Sequence, residues 1–550
     1  MLSPSHRSRR DIAREAARDG GYVMALSALL LLPLLAFTGL AVDLGSWYAR
    51  AAAVQRTTDA AALAGVAFLP IDQAQAIAVA RSTAAQNGFD PATNPDISVT
   101  VTPLAGDQLQ VRITDNSVPQ YFTSLFRDTV TVSRGSIAEY VPPIRMGSPR
   151  NFLGTGNLSR STSGLPSGAI LEQFMLSVNG PCDRAEDGDL RQSLRMGNNS
   201  SSNKCTGGDA NPEYDANGYA YGIRTNAGYS GGPLVIEVFD APYCTGSGHD
   251  LNLGGATFHT RYTVRAPDAD PFAGAPVATH TLTPSDCGGW GNQWRAIATI
   301  NPTPGQAHVV QVQSLNHSDS GRTGGANQFA IRARRSAGGF VACSADPNET
   351  DNALRQASTG VSPANCPNVF AYQDLSVFAA SAGSTAEFFL ASIGPEHSGK
   401  RLIIELYDPG EGGQSLRVTD PNGQVVGPGN GAGVTSFERS VVSRFAGEAA
   451  PGGGWGPFTE SVVDIRPAGP APGPGRATDA RCTGQNSANP ACRYNERRLR
   501  LEIELPDNID AAYGGRTWWR IRYQFATGIS VTDRTTWSVS VEGGPVRLIE

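Results

Sequence analysis

The sequence predicts a mostly β protein tied to a membrane. It should comprise an N-terminal transmembrane helix with a helical extension, a small α+β unit, and two β-sandwich, jelly-roll-like repeat domains. Three observations carry this expectation. An uncharged stretch of membrane-spanning length lies near the start. Short alternating strands separated by Gly- and Pro-rich turns fill most of the remainder, and one strand pattern recurs at a fixed offset.

Composition sets the limits. Of 550 residues, 63 are Gly and 37 are Pro, while charged residues make up only 17%, below the usual quarter. The length calls for several domains. A net charge of −6 is small for this size and the arginines are scattered, so nucleic acid is not expected as a partner. Cysteines occur at Cys182, Cys205, Cys244, Cys287, Cys343, Cys366, Cys482 and Cys492, with no C-x-x-C pair. An even number spread through a Gly-rich region reads as disulfides in an oxidising compartment rather than as a zinc ribbon. Sequential pairing is the simplest pattern, and Cys482 with Cys492 is the most local pair.

Residues 1–21 form a basic cytoplasmic tail with Arg7, Arg9, Arg10, Arg14 and Arg18. Residues 22–42, YVMALSALLLLPLLAFTGLAV, carry no charge; as a helix they span about 30 Å, the thickness of a hydrocarbon core. Pro33 falls inside, where a membrane helix tolerates it. Only Arg50 and Arg56 follow closely, so the positive-inside rule places the N-terminus in the cytoplasm and residues after about 43 outside. The cysteines agree with that side. Residues 43–69 continue as an Ala-rich helix, with Trp47 and Tyr48 at the membrane interface.

Residues 70–150 read as a small α+β membrane-proximal unit. IDQAQAIAVARSTAAQNG has helical spacing and stops at Asn87 and Gly88. ISVTVTPL and DQLQVRITD alternate as strands around Gly106 and Asp107. A short helix near PQYFTSLF and a strand at TVTVSRGSIAEY complete it. Such a unit serves as a spacer or as a docking module.

Between Arg18 and Val66 stand, in order, Pro33, Asp43 and Gly45 at the AVDLG exit, Tyr48 and Gln55 in WYARAAAVQ, and Asp59, Ala60, Ala61 and Gly65 in TDAAALAG. Through these residues the stretch resembles the N-terminal module of the TadG-like proteins of Tad (Flp) pilus systems. The resemblance implies a bacterial, membrane-anchored accessory protein whose partners are pilus-assembly or secretion proteins. The D-x-S-x-S metal site of some members is missing here, so no metal role is carried over. The apolar helix also lacks the early Glu of members processed by a prepilin peptidase.

The repeat lies beyond residue 150. SGGPLVIEVFD (230–240) aligns with SGKRLIIELYD (398–408) at an offset of 168. WRAIATINPTP (294–304), HVVQVQS and NQFAIRARR similarly resemble RLRLEIELPDN (498–508), TWWRIRY (517–523) and TTWSVSVEG. Two diverged β-sandwich copies are therefore expected over residues 151–345 and 364–550, the second with Gly/Pro-rich loops GPGNGAGV, APGGGWGPF and PAGPAPGPG.

The repeat also weighs against catalysis by Ser230, whose GYSGGPLV setting imitates that of a nucleophilic serine. The following PLVIEVFD is a strand rather than a helix, and the second copy keeps Ser398 and Gly399 but not the next Gly-Pro. Ser230 reads as a turn residue. Asp183, Glu186, Asp187 and Asp189 in CDRAEDGDLRQ are weak calcium candidates without EF-hand spacing. The aromatic loops GGWGNQW and GGGWGPF suit either a sandwich core or a binding surface. No catalytic residue and no cofactor is expected. The functional expectation is a non-enzymatic extracytoplasmic protein assisting pilus assembly or secretion. A surface adhesin or glycan/protein-binding module is the alternative, and the ligand of the β domains stays open.

Overall fold

The structure, a computed structural model, describes residues 9–69, 72–104, 107–125, 129–141, 143–154, 174–196, 209–245, 250–251, 257–315, 324–349, 354, 360–381, 385–407, 414–426, 437–442, 456–457, 463–464, 498–525, 531–544 and 546–549. The chain forms two compact units: residues 1–141 with 544–550, and residues 142–543.

The first unit begins with α1 (Arg9–Val66), which runs unbroken through Pro33. Its apolar stretch leaves Leu29, Leu32 and Phe37 exposed, and it is long and apolar enough to cross a membrane. Beyond Asp43 the helix changes character, burying Ala51, Val54, Thr58, Ala61, Ala62 and Val66 at the three-to-four spacing of a core-facing stripe. Against it lies α2 (Gln73–Gln86), capped by Asp72, whose side chain accepts from the Gln75 amide at 2.8 Å. This helix buries Ala76, Ala80 and Ala84, small side chains that allow two helix backbones to approach closely.

Both helices pack on an antiparallel sheet of β1 (Ile97–Leu104), β2 (Gln108–Pro119) and β3 (Thr129–Tyr140). The tight turn after β1 places Asp107 at φ 61°. In β2, buried Leu109, Val111 and Ile113 alternate with outward residues such as Arg112, the pattern of a half-buried strand. The fourth strand comes from the far end of the sequence: Val546–Leu548 pairs with Ala138–Tyr140 of β3. The second unit is thus inserted between neighbouring strands of the first.

The second unit is built from two large antiparallel sheets. Its leading part contains β4 (Arg145–Gly147), β5 (Phe152–Leu153), β6 (Phe174–Asn179), β7 (Arg195–Met196), β8 (Asp209–Ala210) and β9 (Tyr219–Arg224). There follow β10 (Leu234–Phe239), β11 (His259–Arg265), β12 (Pro276–Leu282), β13 (Trp294–Ile300), β14 (Ala307–Leu315) and β15 (Ala326–Arg335). The trailing part opens with β16 (Asn368–Tyr372), β17 (Asp374–Ser381), β18 (Thr385–Ser392), β19 (Arg401–Tyr407) and β20 (Gln414–Thr419). It continues through β21 (Phe437–Val442), β22 (Gly456–Pro457), β23 (Val463–Asp464), β24 (Arg498–Glu504), β25 (Trp518–Phe525) and β26 (Val531–Val541), and the strand already placed in the first unit is β27.

Read outward from the centre, one sheet runs β6-β15-β10-β13 in one direction and β17-β26-β19-β24 in the other. The second sheet runs β9-β14-β11-β12 and β18-β25-β20-β23. Numbering the eight main strands of each half in chain order gives 1-8-3-6 on one sheet and 2-7-4-5 on the other, twice over. This is the jelly-roll arrangement. The resembling segments of the sequence fall on equivalent strands: β10 with β19, β13 with β24, β14 with β25, and β15 with β26. The two rolls join side by side where β6 pairs with β17, Leu176 opposite Val377. On the other sheet their leading strands are exchanged: β4 pairs with β18 of the trailing half, and β16 pairs with β9 of the leading half.

One core cluster runs through both rolls, from Ile236 and Phe329 to Leu406 and Trp519. At the junction the Phe174 ring lies 5.3 Å from Phe388 and 5.9 Å from Trp537. The exchanged strands contribute Met146 and Val369 to this cluster. Of the Gly/Pro-rich loops, only Gly456 and Pro457, paired as β22, fall within the described residues.

Candidate functional site

The residues of the N-terminal resemblance gather where α1 meets the first unit's sheet and loops. Asp43, fully buried on α1, accepts the backbone N–H of Tyr121 at 2.9 Å, of Phe122 at 3.1 Å and of Thr123 at 2.7 Å. The Thr123 hydroxyl donates to the same carboxylate at 2.7 Å. These amides open the one-turn helix Thr123–Leu125, where free N–H groups favour an anion. One side chain therefore fastens a loop to the turn of α1 that follows the apolar segment. One turn earlier, Gly39 lies against the Phe122 ring, and a Cβ there would come within 2.7 Å of it.

Two further contacts continue the latch. Arg50 reaches β2, its Nε and Nη2 each 2.7 Å from Asp115 Oδ2, and its guanidinium lies 4.4 Å from the centre of the Phe89 ring. Burial alone would push the Asp115 carboxyl up. The Ser117 hydroxyl and amide, followed by Arg50, outweigh that and hold it below the usual carboxylate range. Next along the helix, Gln55 Nε2 donates to Asp59 at 2.7 Å and to Ser136 of β3 at 3.0 Å, while the Ser136 hydroxyl donates to Asp59. At the end of α1, Gly65 packs so tightly that a Cβ would sit 2.6 Å from Leu109 and 2.7 Å from the Ala76 carbonyl.

Other members of the resemblance lie apart from these contacts. Ala61 is buried and Ala60 half-buried. Pro33 sits in the apolar stretch, Tyr48 is 76% exposed, and a Cβ on Gly45 would meet nothing within 4 Å. Asp115, Thr123 and Ser136 belong to the latch although no sequence motif singled them out, and Arg50 joins it from within WYARAAAVQ. A signal for one of them was present: Asp115 falls in phase with the inward-facing Leu109, Val111 and Ile113.

The remaining candidates have local roles. Asp189 accepts from the amides of Asn179, Arg191 and Gln192 and from the Tyr219 hydroxyl at 2.7 Å, and burial raises its carboxyl above the usual range despite these donors. Asp187 pairs with Arg184 at 3.3 Å, and Asp183 lies 3.9 Å from Arg534. The Glu186 side chain lies outside the described residues. Among the described residues no group of three such ligands converges on a metal position. Ser230 hydrogen-bonds through its amide and hydroxyl to Asn365 Oδ1, at 2.9 and 3.3 Å, in the turn before β10.

Trp290 packs on the core cluster, and the Trp294 ring lies 5.5 Å from the Phe239 ring and 4.1 Å from the Arg332 guanidinium. Trp455, in the second aromatic loop, lies outside the described residues. Cys244 is joined to Cys287, and Cys343 to Cys366. Cys182 is also disulfide-bonded, whereas Cys205, Cys482 and Cys492 lie outside the described residues.

No curated protein matches this chain. Residues 21–80, which hold the apolar helix, Asp43, Gln55, Asp59 and Gly65, match the model of a family described as putative Flp pilus-assembly TadE/G-like.

Proposed function

We propose that this protein is a non-catalytic, single-pass accessory protein of a Tad/Flp-type pilus-assembly or secretion system, with residues after about 43 extracytoplasmic. The observation that carries this reading is the coincidence of the family match at residues 21–80 with the residues that lock α1 to its own membrane-proximal unit. The arginines before residue 22 favour a cytoplasmic N-terminus. The Cys244–Cys287 and Cys343–Cys366 disulfides favour an oxidising compartment for the jelly rolls. We take residues 1–21 as the tail and 22–42 as the span, with pilus-assembly or secretion proteins as the partners. A non-catalytic role fits Ser230, whose hydroxyl is engaged by Asn365.

Electron microscopy of surface pili in a strain lacking the protein tests the reading, beside the parent and a complemented strain. Loss of pili restored by complementation is the expected result. Normal pili in the deletion strain would overturn the assembly role.

A further inference from the structure

We propose that the loop from Gln120 to Ser124 is a second membrane contact, an aromatic hook that enters the extracytoplasmic lipid interface beside α1. The proposal rests on residues 22–42 being the span. Its first support is exposure. Tyr121 is 63% and Phe122 56% exposed, the two most exposed large apolar side chains described in the first unit outside α1. Scattered exposed apolar residues need no explanation, but these two adjoin each other at one particular level of the helix.

That level is set by Gly39. The Phe122 ring lies against this glycine, which falls inside the uncharged segment, one turn or about 6 Å before Asp43. The loop therefore sits alongside the final turn of the apolar helix instead of above it. A loop can lie at such depth only if its backbone polar groups are satisfied by protein. Asp43 supplies part of that by accepting three successive amides, Tyr121, Phe122 and Thr123, and the Thr123 hydroxyl.

Charge agrees, since no Asp, Glu, Lys or Arg occurs between Asp115 and Arg127. Tyr48, 76% exposed on α1 a little over one turn beyond Asp43, adds a third ring to the belt that Tyr and Trp form at membrane interfaces. A lipid surface is the occupant that fits, because the patch is continuous with the lipid-facing side of the anchor. Two attachments from one unit would also restrict the tilt of that unit relative to the membrane.

The test is spin labelling of the full chain in phosphatidylcholine–phosphatidylglycerol vesicles. Single cysteines replace Tyr121 or Ser124 in the loop, Leu35 in the span and Ser82 on the outer face of α2, all exposed positions. Collision with oxygen, which concentrates in lipid, is compared with collision with a water-soluble nickel chelate. The oxygen-to-nickel ratio at 121 and 124 is expected to be several-fold above that at 82 and close to that at 35. A ratio at the loop equal to that at 82, with 35 still lipid-like, would overturn the hook and leave the anchor standing. Loop labels reached by neither reagent would mean a protein cover and would also overturn it. A water-like Leu35 label would remove the anchor reading and the hook with it.

Discussion

A carboxylate next to an apolar helix is unfavourable unless donors surround it, and the four donors around Asp43 explain why an acid can occupy that position. Truncating it leaves three amides without an acceptor, at a cost of about 1–3 kcal/mol for each buried unpaired group. Asp43→Ala is therefore expected to release the amides of residues 121–123, and Asp43→Asn, which keeps one carbonyl oxygen, should release them less. Hydrogen exchange of the peptide covering residues 118–125 measures this, and unchanged protection in the Ala variant would refute the latch. Asp115 makes a prediction about pH. Its folded carboxyl titrates below the usual value of about 4, so the unfolded chain holds the proton more tightly. The stability it confers is complete above the unfolded value and is lost as pH falls through the folded one. Urea midpoints of the first unit should fall more steeply below about pH 4 in the parent than in Asp115→Asn, and parallel curves would contradict the assignment.

Elements are joined by small residues in the first unit, so identical substitutions have different outcomes along one helix. Gly65→Val must displace Leu109 or α2, and overpacking of this kind costs about 1–3 kcal/mol. Gly45→Ala meets nothing within 4 Å and removes a helix-destabilising glycine, so it should leave stability equal or raise it by up to about 1 kcal/mol. Paired thermal melts of the two variants check the contrast. If Gly65→Val melted like the parent, the packing of α1 on α2 described above would be incorrect. The same elements were largely legible beforehand. The α2 stop at Asn87 and Gly88, the β1–β2 turn at Asp107 and the alternation along β2 are local signals, and local chemistry decides them.

At the scale of the whole molecule, the chain closes on itself. β27 lies against β3, with Arg547 Nη2 2.6 Å from Glu139 Oε2 and Val546 packed against the first unit's core. Removing residues 544–550 should expose the β3 edge and destabilise the first unit by roughly 1 kcal/mol or more, while the jelly rolls keep their protection. Exchange rates in β3 compared with those in β10 report this, and equal protection of β3 with and without the tail would refute it. In the second unit the Cys343–Cys366 disulfide ties the end of one roll to the leading strand of the next, beside the place where β4 and β16 are exchanged.

The sequence by itself determined the uncharged span, the Ala-rich continuation, the strand-rich character of the rest and the 168-residue echo between β10 and β19, because each is written in neighbouring residues or in a repeated pattern. Only the tertiary structure decided which distant groups meet. Asp43 finds the amides of residues 121–123, Arg50 finds Asp115, and Gln55 finds Ser136. β27 returns across the whole inserted unit, and two sandwiches share one core through exchanged strands. The physical reason is the same throughout: periodicity and turn chemistry act over a few residues, whereas hydrogen-bond acceptors, sheet edges and apolar faces are satisfied by whichever part of the chain the completed fold brings to them.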